Sequence, residues 1–494
     1  MNDRPSSLAR VLSLRDLIAI VFGTVIGSGV FIIPGTVLRE VGASVSVALT
    51  VWVIGGVLSL LGALTYGELG AMQPEAGGLY VYIRDAFGPL PAFLYGWTLF
   101  FVIGSGSAAT LAVASTLYLG KLVPLNGLAT HVVPLAVIAA CALLNVRGTR
   151  QSATVTTWMT VTKIVAISGM TAGLLVVGRA PGAVIPPAPP PMTSLAVFSA
   201  AGLAMIATLW AYEGWQYVTF SAGEAKDPQR TFPRGIVIGT AGVVALYLLA
   251  NIAYIRVLGG TGVANSDRVA ADAVGAAFGE TAARAIAIVA EIAVLSALNS
   301  VILTAPRVFY AMARDGVFFR RLAEVHPRFG TPAFAILTSA AWAMLLAATG
   351  TYEQLLTYVI FSGWIFYGLG ALGVFWYRRH RPDVTRPFRV PGYPVTPALF
   401  VLSAFALVVN TMFGQPLRAA IGLGIVLLGA PAFYMWRRRS PPGPACARRR
   451  RLDARARRRT GRAPARTSRP LRHTPLRRGV SRRSPAAVAE SCRP

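Results

Sequence analysis

The sequence predicts an all-α membrane protein of twelve transmembrane helices, two inverted repeats of five plus two further spans, with helices 1 and 6 broken. Three observations carry this. The chain is 54% hydrophobic and 13% charged over 494 residues, a membrane-protein composition. Twelve apolar runs approach the ~20 residues a helix needs to cross a bilayer core of ~30 Å. Two of those runs, five apart, are interrupted, the pattern of transporters built from inverted repeats.

The runs cover roughly 17–38, 41–67, 86–120, 122–146, 151–178, 195–221, 235–255, 285–306, 329–352, 354–377, 390–417 and 419–436. With a cytoplasmic N-terminus, the inner segments hold 19 of the 27 Lys and Arg residues that precede position 437. The outer segments hold 7, and Lys163 lies inside a span. By the positive-inside rule both termini are cytoplasmic, in a multi-pass protein of the cell membrane. The first run shows no small-residue cleavage site and reads as a retained span.

Residues 1–13 form a cytoplasmic N-terminus and 14–436 the membrane domain: repeat 1 about 14–178, repeat 2 about 195–377, and the last two spans about 394–436. The formal charge of +28 is concentrated in 437–494, where 20 arginines face Asp453 and Glu490. Rich in Arg, Pro, Ala and Ser, this tail reads as disordered. It suits either attraction to anionic surfaces or a dispensable solvated extension; the extension is preferred, and no nucleic-acid partner is expected.

Span 1 is interrupted first. Leu17 to Leu38 carries no formal charge, yet Gly23, Thr24, Gly27, Ser28 and Gly29 fall within seven positions, and Pro34-Gly35 follows. Each glycine weakens a helix by roughly 1 kcal/mol relative to alanine. Gly23 and Gly27 make a small-xxx-small pair suited to close helix packing, but packing does not call for Gly29 or the hydroxyls. A broken backbone at membrane depth must line a cavity or meet a ligand.

Spans 2 to 4 are plain, with Cys141 in the fourth; Cys446 and Cys492 lie in the tail. No disulfide framework follows from three such positions. His131, His326, His380 and His473 are scattered singly, so no metal site or cofactor is expected. No phosphate-cradling loop or nucleophile turn is present, which argues against an enzyme.

Span 6 carries the second interruption: Leu209-Trp210-Ala211-Tyr212-Glu213-Gly214-Trp215-Gln216-Tyr217. Glu213 places an ionisable group at mid-membrane, where it must face protein or water. The half-helix beginning near Ser28 offers free amides and a positive dipole end, suited to a carboxylate. The C-terminal ends of the preceding half-helices offer carbonyls, suited to an ammonium. A zwitterion, an α-amino acid, satisfies both. A channel has no need of two such complementary ends.

These residues resemble the amino acid–polyamine–organocation transporters, most of all their L-type amino acid transporter branch. The matching motifs are Gly-Ser-Gly-Val-Phe at 27–31, Ala-Tyr-x-Gly-Trp at 211–215, and Gly-Glu-Ala-Lys-Asp-Pro-Gln-Arg-Thr-Phe-Pro-Arg at 223–234. Val325-His326-Pro327-Arg328 and Arg386-Pro387-Phe388-Arg389-Val390-Pro391-Gly392-Tyr393-Pro394 complete the set. They are distributed over 13–436, and the tail has no counterpart.

The resemblance implies a LeuT-like five-plus-five fold and a secondary transporter, an exchanger or proton-coupled importer of L-amino acids working by alternating access. A polyamine exchanger of the same superfamily is the alternative; it would leave the amide end without a carboxylate. By resemblance, the substrate carboxylate meets the amides of Gly27, Ser28 and Gly29 and the Ser28 hydroxyl, in the break that includes Val25 and Ile26. The ammonium meets carbonyls of Val25, Trp210, Ala211 and Glu213. Trp210 stands where the family closes an aromatic over the substrate, or is an ordinary core tryptophan; for Tyr212 and Trp215 packing is at least as good a reading.

Glu213 departs from the family's usual small residue. Three roles fit it: selecting polar or cationic side chains, taking up a proton, or a structural carboxylate. Lys163 stands where sodium-coupled relatives hold a cation, which implies sodium independence; it is too deep in its span for easy snorkelling. Tyr247, Ser296 and Asn299 are candidates to complete the polar network, and Glu291 fits equally near the outer end of span 8. The 224–234 segment reads as a gating loop or a solvated one. Heavy-chain-associated members use a cysteine between spans 3 and 4; residues 121–131 have none, so no disulfide-linked heavy chain is expected.

Overall fold

The computed structural model describes residue 10 and residues 12–75, 77–178 and 194–439. The arginine-rich tail beyond Arg439 lies outside the described residues. Among the described residues the fold is helical, with a single isolated bridge between Leu12 and Ala225.

In chain order the helices are α1 (Leu14–Val25), α2 (Gly29–Glu40), α3 (Val45–Met72), α4 (Leu79–Phe87), α5 (Pro89–Thr98) and α6 (Gly104–Leu122). They continue with α7 (Gly127–Arg147), α8 (Thr149–Val177), α9 (Ser194–Ala211), α10 (Pro228–Ala264), α11 (Val269–Phe278) and α12 (Glu280–Thr304). The last are α13 (Pro306–Arg314), α14 (Ala333–Thr349), α15 (Tyr352–His380), α16 (Val395–Gly414) and α17 (Pro416–Arg439).

Nine helical stretches among the described residues are long and apolar enough to cross a membrane, or ten when the bent pair α1–α2 counts as one. Two further helices, α9 and the 17-residue α14, occupy the runs read as spans 6 and 9. Large apolar side chains stay exposed around the outside, Trp158 at 71% and Phe413 at 84%, as a lipid-facing surface requires. The short helices α4, α11 and α13 lie between the long apolar runs, where the sequence reading had only loops.

Local chemistry sets the helix ends. Ser13 and Asp16 form a capping box at the start of α1, and Thr351 with Gln354 does the same for α15. Five residues of π-helix, Leu99–Ile103, join α5 to α6, and the Ser105 hydroxyl donates to the Phe100 carbonyl across it at 2.7 Å. Such bulges mark places where a helix face is re-aimed. Around the two breaks, α10 packs along α3 and α1, while α12 packs along α6 and α8.

Candidate substrate site at two helix breaks

Helix α1 stops at Val25, Ile26 is extended (φ −76°, ψ 91°), and α2 restarts at Gly29 with its axis bent by 47°. A helix end leaves its last carbonyls without intrahelical donors. Here Lys163 supplies them. Its Nζ donates to the carbonyls of Gly23 (2.9 Å) and Ile26 (2.5 Å) and to Ser296 Oγ (3.2 Å). The side chain is fully buried, and three acceptors use the three donors of an ammonium. Lys163 therefore sits against the negative end of the α1 dipole, tying α8 and α12 to the break.

The Val25 carbonyl accepts from the Gly27 amide (2.9 Å) and from Tyr247 Oη (3.2 Å). An ammonium at Val25 would have to displace one of these, since a carbonyl offers two lone pairs. On the other side of the break, the Phe31 and Ile32 amides bond to the Ser28 carbonyl, each at 3.2 Å. The amides of Gly29 and Val30 open α2 ahead of any intrahelical acceptor. Ser28 Oγ lies 3.0 Å from Tyr352 Oη at the first residue of α15.

The second break differs from the opposed α half-helices that the sequence suggested. Helix α9 ends at Ala211, a turn follows, and Trp215–Glu224 form ten residues of 3₁₀ helix. With its rise of ~2.0 Å per residue, this form spans more distance than an α-helix of equal length. Gly214 turns the chain at φ 122°, in the left-handed region that favours glycine. Its carbonyl lies 2.9 Å from Thr24 Oγ1, which shares its one proton with the Ile20 carbonyl at 2.8 Å, and this contact joins the two breaks directly. Gly29 is equally constrained: a Cβ there would lie 2.5 Å from the Ala211 Cα.

Glu213 is buried and bonded to neutral side chains. Tyr367 Oη donates to its carboxylate at 2.6 Å, and Gln216 Nε2 donates to the same oxygen. Gln216 also bonds Tyr367 Oη at 2.7 Å, and its Oε1 accepts from the Gly214 amide at 3.2 Å. Trp210 Nε1 donates to Tyr352 Oη at 2.9 Å.

Between the breaks lies a small, partly open cavity. Val25, Gly27, Ser28 and Gly29 line it from the first break, and Trp210 and Glu213 from the second. Ser107 on α6 and Tyr217 on the 3₁₀ segment add to the wall. Ile26 and Lys163 lie behind the first break, and Ala211 packs on Gly29. Tyr247 and Ser296 join this network, and Asn299, one turn on from Ser296, bonds Asn145 Nδ2 (2.7 Å) and Thr156 Oγ1 (2.8 Å), tying α12 to α7 and α8. Tyr212 and Trp215 pack in the core, Tyr212 against Trp52 and Tyr247 and Trp215 against Tyr66.

Sequence reasoning missed Tyr352, Tyr367, Ser107 and Tyr217. In an apolar helix a tyrosine or serine looks like packing. Gln216 carried a signal, an amide at membrane depth three residues after Glu213.

At one end of the molecule, Glu68 of α3 takes a two-pronged contact from Arg378 (3.0 and 2.6 Å) and accepts from the Val390 amide at 2.7 Å. Arg386 Nε lies 3.7 Å from Glu68, and its other nitrogens donate to the carbonyls of Tyr377, Arg381, Pro382 and Val384. The Arg386–Pro394 motif thus closes the C-terminal end of α15. Glu224 pairs with Arg307 at 3.2 Å, and Leu12 bonds the Glu224 carbonyl, so the 224–234 segment begins in contact with α13 and the N-terminus rather than free in solvent.

A multi-pass helical membrane protein with two broken helices meeting at one small cavity is built as a small-solute transporter. Comparison with known proteins gives the family. The amino acid permease family matches residues 12–429, and the chain belongs to it. The human cystine/glutamate transporter is 31% identical over 446 residues, 87% of this chain and 85% of that protein. The serine/threonine exchanger SteT of Bacillus subtilis (strain 168) is 31% identical over 456 residues, 89% of this chain and 99% of that protein. The human b(0,+)-type amino acid transporter 1 is 31% identical over 453 residues, 87% of this chain and 88% of that protein. The chain is an amino acid permease, and the relatives just named are transporters.

Proposed function

We propose that this permease carries L-α-amino acids across the cell membrane by alternating access, as a sodium-independent exchanger or proton-coupled importer with both termini cytoplasmic. The observation that carries the reading is the meeting of the two breaks, with Thr24 bonded to Gly214 and the opening amides of α2 bordering the cavity between them. A substrate carboxylate meets Ser28 and Gly29 there. Trp210 covers it, and Glu213 faces the side-chain end and biases the choice among substrates. Lys163, already bonded to Gly23, Ile26 and Ser296, stands in for a sodium ion as a fixed or titrating positive charge.

The twelve-span, five-plus-five inverted repeat is part of the same proposal. It is supported by ten spans that meet the length test, by the positions of α9 and α14, and by breaks five spans apart. No disulfide-linked heavy chain is included, because the segment between α6 and α7 contains no cysteine. Proteoliposomes loaded with one amino acid and presented with a labelled panel, with and without sodium, test the reading. Saturable, sodium-independent countertransport of α-amino acids is expected. Uptake of polyamines in preference to zwitterions, or a steep sodium dependence, would overturn it.

A further inference from the structure

Tyr352 is the first residue of α15, directly after Thr351 of the Thr351–Gln354 capping box. Its hydroxyl meets both breaks: Trp210 Nε1 at 2.9 Å and Ser28 Oγ at 3.0 Å. The two rings stand edge to face, with centroids 6.4 Å apart and planes at 88°.

Donor arithmetic fixes the direction of one of these bonds. An indole N–H only donates, so Tyr352 Oη accepts from Trp210. The phenol keeps one proton and Ser28 Oγ is within its reach, while the Tyr352–Ser28 contact admits either hydroxyl as donor. When the phenol donates, the Ser28 proton is turned away from Tyr352, toward the cavity that Ser28 lines. The chain then runs Trp210 Nε1–H to Tyr352 Oη–H to Ser28 Oγ–H, and its last proton is left for an acceptor in the cavity, the place that the carboxylate reading gives to the substrate. Bonds in such a series polarise one another, so the last donor is strengthened.

We propose that Tyr352 is a positioning residue for substrate recognition: it aims the Ser28 hydroxyl proton at the substrate carboxylate and couples that contact to Trp210. The inference rests on the carboxylate reading of the first break given above. It adds a cause for the orientation of Ser28, and it makes closure of Trp210 and capture of the carboxylate one linked event.

The test is a double-mutant cycle on uptake of a labelled α-amino acid by the full-length permease in proteoliposomes. Tyr352→Phe keeps the ring and removes the hydroxyl. It should raise KM about threefold to tenfold, the worth of one oriented hydrogen bond, with Vmax nearly unchanged. Ser28→Ala should raise KM by a similar factor, and the double variant should be no worse than the more impaired single one. If Ser28→Ala leaves KM unchanged, the Ser28 hydroxyl does not meet the carboxylate and this proposal fails, while the carboxylate reading, which rests on the backbone amides, is left standing. If Ser28→Ala raises KM but Tyr352→Phe does not, or if the two effects multiply, the carboxylate reading stands and the role of Tyr352 is overturned. Should Tyr352→Phe fail to accumulate, Tyr352→His carries the same test: its donor and acceptor lie on different atoms, so KM should rise likewise, and a wild-type KM would overturn the proposal.

Discussion

Thr24 Oγ1 shares its one proton between the Ile20 carbonyl of its own helix at 2.8 Å and the Gly214 carbonyl at 2.9 Å, and the second contact joins two chain interruptions 190 positions apart in sequence. Neither end makes sense alone. Thr24 lies in the last turn of α1, and Gly214 occupies a backbone conformation that a side chain would resist. Together they bring the two broken helices into direct contact beside the cavity.

Lys163→Met should reduce uptake at least tenfold. The change removes three donors at once and leaves the Gly23 and Ile26 carbonyls buried without a partner. Wild-type uptake should be the same in sodium and in choline buffer. Paired uptake assays in both buffers check the two statements together.

Gly29→Val should abolish binding of every zwitterionic substrate. It should also lower stability by about 1–3 kcal/mol, the ordinary cost of forcing atoms into a packed contact. The added Cβ meets the Ala211 backbone, which cannot swing aside as a flexible side chain would. Radioligand binding to detergent-purified protein, together with a thermal melt, separates the two effects.

Glu213→Gln should alter the ranking among amino acids while leaving binding of the common zwitterion intact. The amide keeps the shape and the contacts to Gln216 and Tyr367 but removes the charge beside the cavity. If Glu213 takes up a proton during transport, the pH dependence of uptake should flatten in the same variant. A substrate-competition panel at two pH values reads both.

Glu68→Gln should destabilise the protein by about 3–5 kcal/mol, the usual cost of removing one partner from a buried ion pair. Arg378 and Arg386 would lose their anion, and the Val390 amide a charged acceptor. The melting temperature of the purified variant measures this. Substrate ranking should not change, because these residues are not among those lining the cavity.

Truncation after Arg439, where α17 ends, should leave transport nearly intact. The arginines beyond that point have the composition of a solvated extension. Uptake by the shortened protein, normalised to the amount in the membrane, decides it.

The sequence by itself determined what departs from the rules of a membrane helix. Glycines and hydroxyls clustered at 23–29, a carboxylate at 213 and a lone lysine at 163 stand out because lipid tolerates none of them without a partner. The long apolar helices were legible for the same reason: apolar length is a local property of the chain. Where a hydroxyl points is not. Ser296 and Asn299 are three residues apart on α12, on neighbouring parts of one face, yet Ser296 bonds Lys163 while Asn299 bonds Asn145 and Thr156. One turn along a helix changes which neighbours are in reach, and only packing fixes that. Tyr352 and Tyr367 were invisible as site residues, since a tyrosine in an apolar helix carries no mark of whether its oxygen meets a break or the core. The 3₁₀ form of Trp215–Glu224 was likewise decided by tertiary structure, which stretches the segment between Gly214 and the Leu12 bridge. Irregularity can be read locally; partnership requires the folded neighbours that supply each donor and acceptor.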